Sequence, residues 1–112
     1  MPASKRLLLA EDDEGCRRVF TRRLTGAGYD VVAVASVAEA TLVRGPIDGL
    51  VLDVRLGKDD GRQIKRLLFP TVPAVIISGT NVDGEPPDVL KGEPDTVEVL
   101  LALLAAKLAG EM

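Results

Sequence analysis

Short apolar runs that stop on polar residues constrain this chain more than any other feature. Arg6–Ala10 is bounded by Glu11-Asp12-Asp13-Glu14, Asp30 to Ala35 is rich in valine, and Gly49–Asp53 ends on a carboxylate. Ala74–Ser78 ends on a hydroxyl, and a very short run from Val89 reaches Lys91. Runs of this length suit buried strands rather than helices. Between them lie helical signals. Cys16, Val19, Phe20 and Leu24 recur at helical spacing, with Arg17, Arg18, Arg22 and Arg23 largely on other faces and Gly26 and Gly28 closing the segment. Ser36-x-x-Glu39 predicts a capped helix that stops before Gly45-Pro46, and Asp95-x-x-Glu98 predicts a second capping box opening a last helix to about Leu108. Gly57 to Gly61 reads as loop, followed by a short helix to about Phe69. Strands alternating with helices predict βαβ units and a parallel sheet covered on both faces.

One stretch does not fit an ordinary unit. Gly79 to Asp88 holds two glycines and two prolines and reads as loop. A parallel crossover normally needs about a dozen residues or more, usually including a helix. The connection into the fifth strand is therefore expected to be stretched, with its helix short, irregular or missing.

The 112 residues suffice for one core, so the expectation is a single domain over residues 1–112. Aromatic residues are 3% of the chain against 46% hydrophobic overall, so that core must be aliphatic. A net charge of −3 argues against a nucleic-acid partner, which calls for a basic face. Cys16 is the lone cysteine and falls on the apolar side of its helix. No signal-peptide pattern and no apolar stretch of membrane length is present. The expectation is a soluble cytoplasmic domain that acts through protein contacts.

In an open parallel sheet, ligands bind beyond the carboxyl ends of the strands at a topological switch point. Glu11-Asp12, Asp53, Ser78 and Lys91 all lie at such ends and are expected to converge. Gathered carboxylates repel one another unless a cation intervenes. Magnesium accepts a few carboxylate oxygens together with water and phosphate oxygens, and phosphoryl transfer needs that electrostatic support. Asp53 is the candidate nucleophile, forming an aspartyl-phosphate. Lys91 and Ser78 are candidates to contact the phosphoryl oxygens.

The same residues resemble the receiver domain of two-component response regulators over essentially the whole chain. Leu7-Leu8-Leu9-Ala10-Glu11-Asp12 is similar to the family's first strand with its acidic pair, and Leu50-Val51-Leu52-Asp53 to the strand that ends on the phosphoacceptor. Gly61 stands where the family keeps a glycine; Ala74–Gly79 and Val89-Leu90-Lys91 match the strands ending in Ser or Thr and in lysine. Leu52-Asp53-Val54-Arg55-Leu56 further resembles the shortened alphaproteobacterial receivers called the FAT GUY group, in which the fourth helix is often irregular. The resemblance implies a flavodoxin-like doubly wound five-stranded parallel sheet, α/β in class, of strand order 2-1-3-4-5. It implies Mg2+ held by Glu11, Asp12, Asp53 and the backbone carbonyl of Arg55. It also implies a phosphoryl donor, either a sensor histidine kinase (HWE-type or related in that group) or a histidine phosphotransfer protein, and no enzymatic turnover beyond autodephosphorylation.

Departures from the family pattern accompany the match. Gly57 replaces the usual proline after the phosphoacceptor, Lys91-Gly92 replaces the Lys-Pro dipeptide, and Asp88 stands where most receivers carry an aromatic switch residue. They motivate an alternative, a degenerate receiver that works as a phosphorylation-independent interaction module. A phosphatase of the haloacid-dehalogenase type is disfavoured because Arg55 stands where that family wants a second aspartate. Taken singly, the site residues have plain structural readings: acidic residues offset a helix dipole, and a serine or an aspartate caps a turn. The arginines of the first helix read as a solvated face, with kinase docking as the minority reading. In the last helix Val97, Leu100, Leu101, Leu104 and Leu108 form one apolar stripe. Val99, Leu103 and Ala106 lie off it, which leaves a possible homodimer surface.

Overall fold

The computed structural model describes residues 4–110. The apolar runs become strands: β1 (Arg6–Ala10), β2 (Asp30–Val34), β3 (Gly49–Asp53), β6 (Ala74–Ser78) and β7 (Val89–Leu90). They form one parallel sheet in the order β2-β1-β3-β6-β7. This is the expected 2-1-3-4-5 arrangement, once a small hairpin of β4 (Arg55–Leu56) and β5 (Asp59–Asp60) is set aside. Leu7, Leu8, Leu9, Leu50, Val51 and Leu52 are wholly buried, as strands covered on both faces require.

The strand side chains alternate between two aliphatic cores. Leu7, Leu9, Val51, Val75, Ile77 and Val89 meet Phe20 and Leu24 of α1 (Glu14–Gly26) and Leu100 and Leu104 of α3 (Thr96–Leu108). Leu8, Ala10, Leu50, Leu52 and Ala74 meet Ala40 of α2 (Val37–Ala40), together with Leu56 and Ile64. Burying a leucine contributes about 2 kcal/mol. The strand bodies can therefore offset the several kcal/mol that each buried charge at their ends costs without a partner.

Helix α1 ends at the glycines expected to close it. Asp13 caps it, accepting from the Cys16 N–H at 2.8 Å, and Ala27 with Gly28 at φ +102° ends it. Val19, counted toward the apolar stripe, is instead half exposed, because Phe20 and Leu24 already cover β1. Helix α2 is shorter than predicted. Ser36 caps it by accepting from Glu39 N–H at 3.0 Å, but beyond Ala40 the chain tightens, with Leu42 and Val43 N–H groups reaching back only three residues. The Thr41 hydroxyl donates to Ala38 O at 2.6 Å, a local bond that competes with the helix ladder. The helix expected up to Phe69 is a single wide turn, Ile64–Leu68, closed by Phe69 N–H to Ile64 O at 3.1 Å.

The second capping box is not formed. Asp95 has φ −102° and ψ 15°, outside the extended conformation that capping needs, and its side chain makes no cap bond. Thr96, the first helical residue, instead ties the helix start to the preceding loop: its hydroxyl accepts from Glu93 N–H at 3.1 Å and lies within donating reach of Leu90 O at 3.0 Å and Glu93 O at 2.8 Å. Leu103, read as lying off the apolar stripe, packs against the core, while Val99 stays exposed at 36%.

No helix lies between β6 and β7 among the described residues. The connection carries a tight turn at Asp83 (φ +52°) and Gly84 (φ +80°), closed by paired bonds between Val82 and Glu85 at 2.7 and 2.9 Å. Asp-Gly is the dipeptide that such a turn demands. Strand β7 covers only Ile77 and Ser78 of its neighbour. Asp88 accepts from the Ile76 N–H at 2.8 Å, and Lys107 Nζ donates to Ala74 O at 2.6 Å, so side chains close the rest of that edge. Asp88, at the family's aromatic switch position, thus has a structural task.

Gly61 is fixed by crowding rather than by backbone angle. A Cβ there would lie 1.9 Å from the carbonyl oxygen of Asp53, while its N–H bonds Val54 O at 2.8 Å. Gly61→Ala is expected to destabilise the fold by about 2 kcal/mol or more in urea denaturation, because the backbone under Asp53 must shift. Gly79→Ala, where nothing lies within 4 Å, should stay within about 0.5 kcal/mol of wild type.

Candidate functional site

The carboxyl ends of β1, β3 and β6 bring Glu11, Asp53 and Ser78 to one end of the sheet, and Lys91 follows β7 by one residue. Asp12, Asp53, Arg55, Ser78 and Lys91 line a cleft of about 340 Å³ together with Gly79 and Thr80. Glu11, Asp53 and Ser78 are buried, whereas Asp12 is exposed at the rim. Oxygens of Glu11, Asp12 and Asp53 all lie within 4.8 Å of one another. Every side chain predicted for the site is therefore in one place.

Lys91 organises it. Its ammonium donates to Asp53 Oδ2 at 2.7 Å and to Glu11 Oε1 at 2.9 Å. Its backbone N–H extends the ladder to Ser78 O at 2.8 Å, and Gly92 at φ +91° turns the chain away directly afterwards. Burial alone would lower the lysine; hydrogen bonds first to Asp53 and then to Glu11 outweigh it and hold Lys91 above its ordinary value. For Glu11, burial and then the adjoining Asp53 carboxylate push the carboxyl up to about 7, against the lowering effect of Lys91. One lysine thus serves two buried acids, and the second is left short of positive charge.

The remaining contacts hold the frame. Ser78 Oγ accepts from Thr80 N–H at 3.3 Å. Arg17 of α1 donates to Glu11 O at 3.0 Å and Asp12 O at 3.4 Å, so this arginine is not merely solvated but pins the β1–α1 turn. Asp12 Oδ2 accepts from Gly57 N–H at 3.0 Å, linking the acidic pair to the turn of the β4–β5 hairpin. Sequence reading missed the hairpin and the tasks of Arg17 and Gly57. For the hairpin a signal existed in Leu56, a lone apolar residue between Arg55 and Gly57-Lys58-Asp59-Asp60 that proves almost wholly buried.

No protein-family model matches the chain. A response regulator receiver protein from Sinorhizobium medicae WSM419 shares the fold at a TM-score of 0.81 and 30% identity, covering 97% of this chain and 98% of that one. The chain is a member of the response-regulator receiver family. The non-phosphorylated HemR receiver domain from Leptospira biflexa has the same fold, with a TM-score of 0.78, 23% identity and 94% of both chains covered. The regulatory protein VirG of Agrobacterium tumefaciens is 35% identical over 83 residues, 70% of this chain and 31% of that protein. The receiver described here spans less than a third of that relative's length. These likenesses establish the receiver family rather than the shortened FAT GUY group within it. No helix among the described residues is long and apolar enough to cross a membrane.

The titration of Glu11 sets a sign for stability. Between pH 4.5 and about 7 the folded receiver keeps a proton that the unfolded chain has released, so stability must fall as pH rises through that window. Asp13 and Asp60 are held below their ordinary 3.8, by the Cys16 N–H and by Arg62 respectively, and act below the window. Urea denaturation in metal-free buffer is expected to show a loss on the order of 1–3 kcal/mol from pH 5 to 7.5. Glu11→Gln should flatten that dependence; a wild-type profile that rises instead would contradict it.

Proposed function

We propose that this receiver accepts a phosphoryl group on Asp53 in a Mg2+-dependent reaction. The observation that carries the reading is the joint placement of Glu11, Asp12, Asp53, Ser78 and Lys91 at the carboxyl end of the sheet. The donor set fits a hard divalent cation: carboxylate oxygens close enough to share one ion, at an open cleft where water and phosphate oxygens complete the shell. Glu11, Asp12 and Asp53 would hold Mg2+ with the backbone carbonyl of Arg55, which lines the same cleft. The ion supplies charge neutralisation for the transferring oxygens.

The chain's own groups do the rest. Asp53 Oδ attacks the phosphorus in line, the donor's bond to phosphorus breaks, and the leaving group departs with its electron pair. Lys91, already within 2.7 Å of Asp53, follows the charge onto the phosphoryl oxygens. The buried Ser78 hydroxyl lines the same cleft and would donate to a second phosphoryl oxygen. Since Lys91 also bonds Ser78 O through its backbone, a shift of the ammonium bears on β7 and on the connection from Gly79 to Asp88. The donor would be a sensor histidine kinase or a histidine phosphotransfer protein, and the output a protein contact.

Intact-mass spectrometry after incubation with acetyl phosphate and Mg2+ is expected to show one phosphoryl adduct, about 80 Da, lost on adding a chelator and absent in Asp53→Asn. Ser78→Ala should retain the adduct at a rate lower by about tenfold, the usual scale for one charge-assisted hydrogen bond. No adduct in the wild type, even with a cognate kinase, would leave the phosphorylation-independent interaction module as the function.

A further inference from the structure

The bond between Gly57 and Asp12 ties together residues 45 positions apart. It joins the one exposed carboxylate of the cluster to a turn that is itself anchored from below. Leu56, beside Gly57, is buried in the core with Ile64 and Leu52, and the far end of the hairpin is fixed by Gly61 N–H on Val54 O at 2.8 Å. The turn reaches its position only through a left-handed residue, Gly57 at φ +65°. In that conformation the Gly57 N–H faces Asp12 rather than water.

Glu11 and Asp53 are immobilised by burial and by Lys91. Asp12 has neither. A solvent-exposed carboxylate ordinarily exchanges between side-chain rotamers, and binding a cation would then bear the cost of selecting one. The Gly57 N–H removes that cost, since it bonds one carboxylate oxygen and leaves the other for a ligand. Charge adds to the effect, because an ionised acceptor makes the stronger hydrogen bond.

We propose that Gly57 is a positioning residue for divalent-cation binding, its backbone N–H holding the Asp12 carboxylate in the rotamer that completes the oxygen cluster. This rests on the reading of Glu11, Asp12 and Asp53 as a cation site. It makes a backbone amide of the β4–β5 turn part of how the site is built, and it accounts for the glycine. A Cβ at Gly57 would meet nothing within 4 Å, so conformation and the N–H are what the position demands, not space. Asparagine tolerates the left-handed region and keeps the N–H. Proline has no N–H and a φ locked near −65°.

Isothermal titration calorimetry of MgCl2 into the full chain tests this without any phosphoryl transfer. Wild type and Gly57→Asn are expected to bind Mg2+ with affinities within about threefold of each other, and Gly57→Pro about tenfold more weakly. In an Asp12→Ala background Gly57→Pro should cost nothing further, because its effect passes through that carboxylate. Amide hydrogen exchange gives a reading independent of how the proline variant folds: the Gly57 N–H should be protected in wild type and lose protection in Asp12→Ala. Equal Mg2+ affinity of Gly57→Pro and wild type, an undiminished proline effect without Asp12, or an unprotected Gly57 N–H would each overturn the inference while leaving the cation site standing. A wild type that takes up no Mg2+ would overturn the cation site and the inference with it.

Discussion

The ammonium of Lys91 is the interaction on which the site and the sheet end both depend. It sits between two buried carboxylates, at 2.7 Å from Asp53 and 2.9 Å from Glu11. A buried ion without a partner costs several kcal/mol, and breaking such a pair from one side commonly costs about 3–5 kcal/mol. The geometry accordingly leaves no buried side-chain polar atom unpartnered among the described residues. Yet one positive charge faces the acids Glu11 and Asp53, with Asp12 nearby, and burial together with the adjoining Asp53 carboxyl pushes Glu11 up to about 7. A second cation is what this cluster lacks electrostatically. That is the physical link between an ordinary question of core stability and the proposed phosphoryl-accepting site.

The sheet order and the converging site were legible because their signals are periodic or sit at strand ends. Apolar runs such as Leu7-Leu8-Leu9 can only be buried on both faces, and a parallel sheet then carries whatever follows each run to the same edge. What was not legible depends on contacts distant in sequence. Asp95 has the right residue type for a cap, yet its backbone lies outside the extended conformation and no side chain caps α3, while the neighbouring Thr96 hydroxyl is taken up by Leu90 and Glu93 of the preceding loop. Arg17 looks like one more solvated arginine until the β1–α1 turn offers it two carbonyls. Val19 obeys the helical spacing but stays half exposed, while Phe20 and Leu24 of the same helix enter the core.

The departures from the family pattern acquire physical content in the same way. With no helix crossing from β6 to β7, the last strand shrinks to Val89–Leu90 and part of the β6 edge loses its backbone partner. An exposed strand edge invites unwanted pairing. Asp88 and Lys107 close it instead, and their charged ends lie 3.8 Å apart. Asp88, at the position where most receivers carry an aromatic switch residue, is thus engaged at the sheet edge.

The most direct test of this account compares thermal melts of wild type and Lys91→Met, each with a chelator and with excess Mg2+. If Lys91 is the resident counter-charge of a cation site, the metal-free variant melts well below wild type, and Mg2+ raises the variant's midpoint by more than it raises that of wild type. Equal midpoints without metal, or the same Mg2+-induced rise in both proteins, would contradict it.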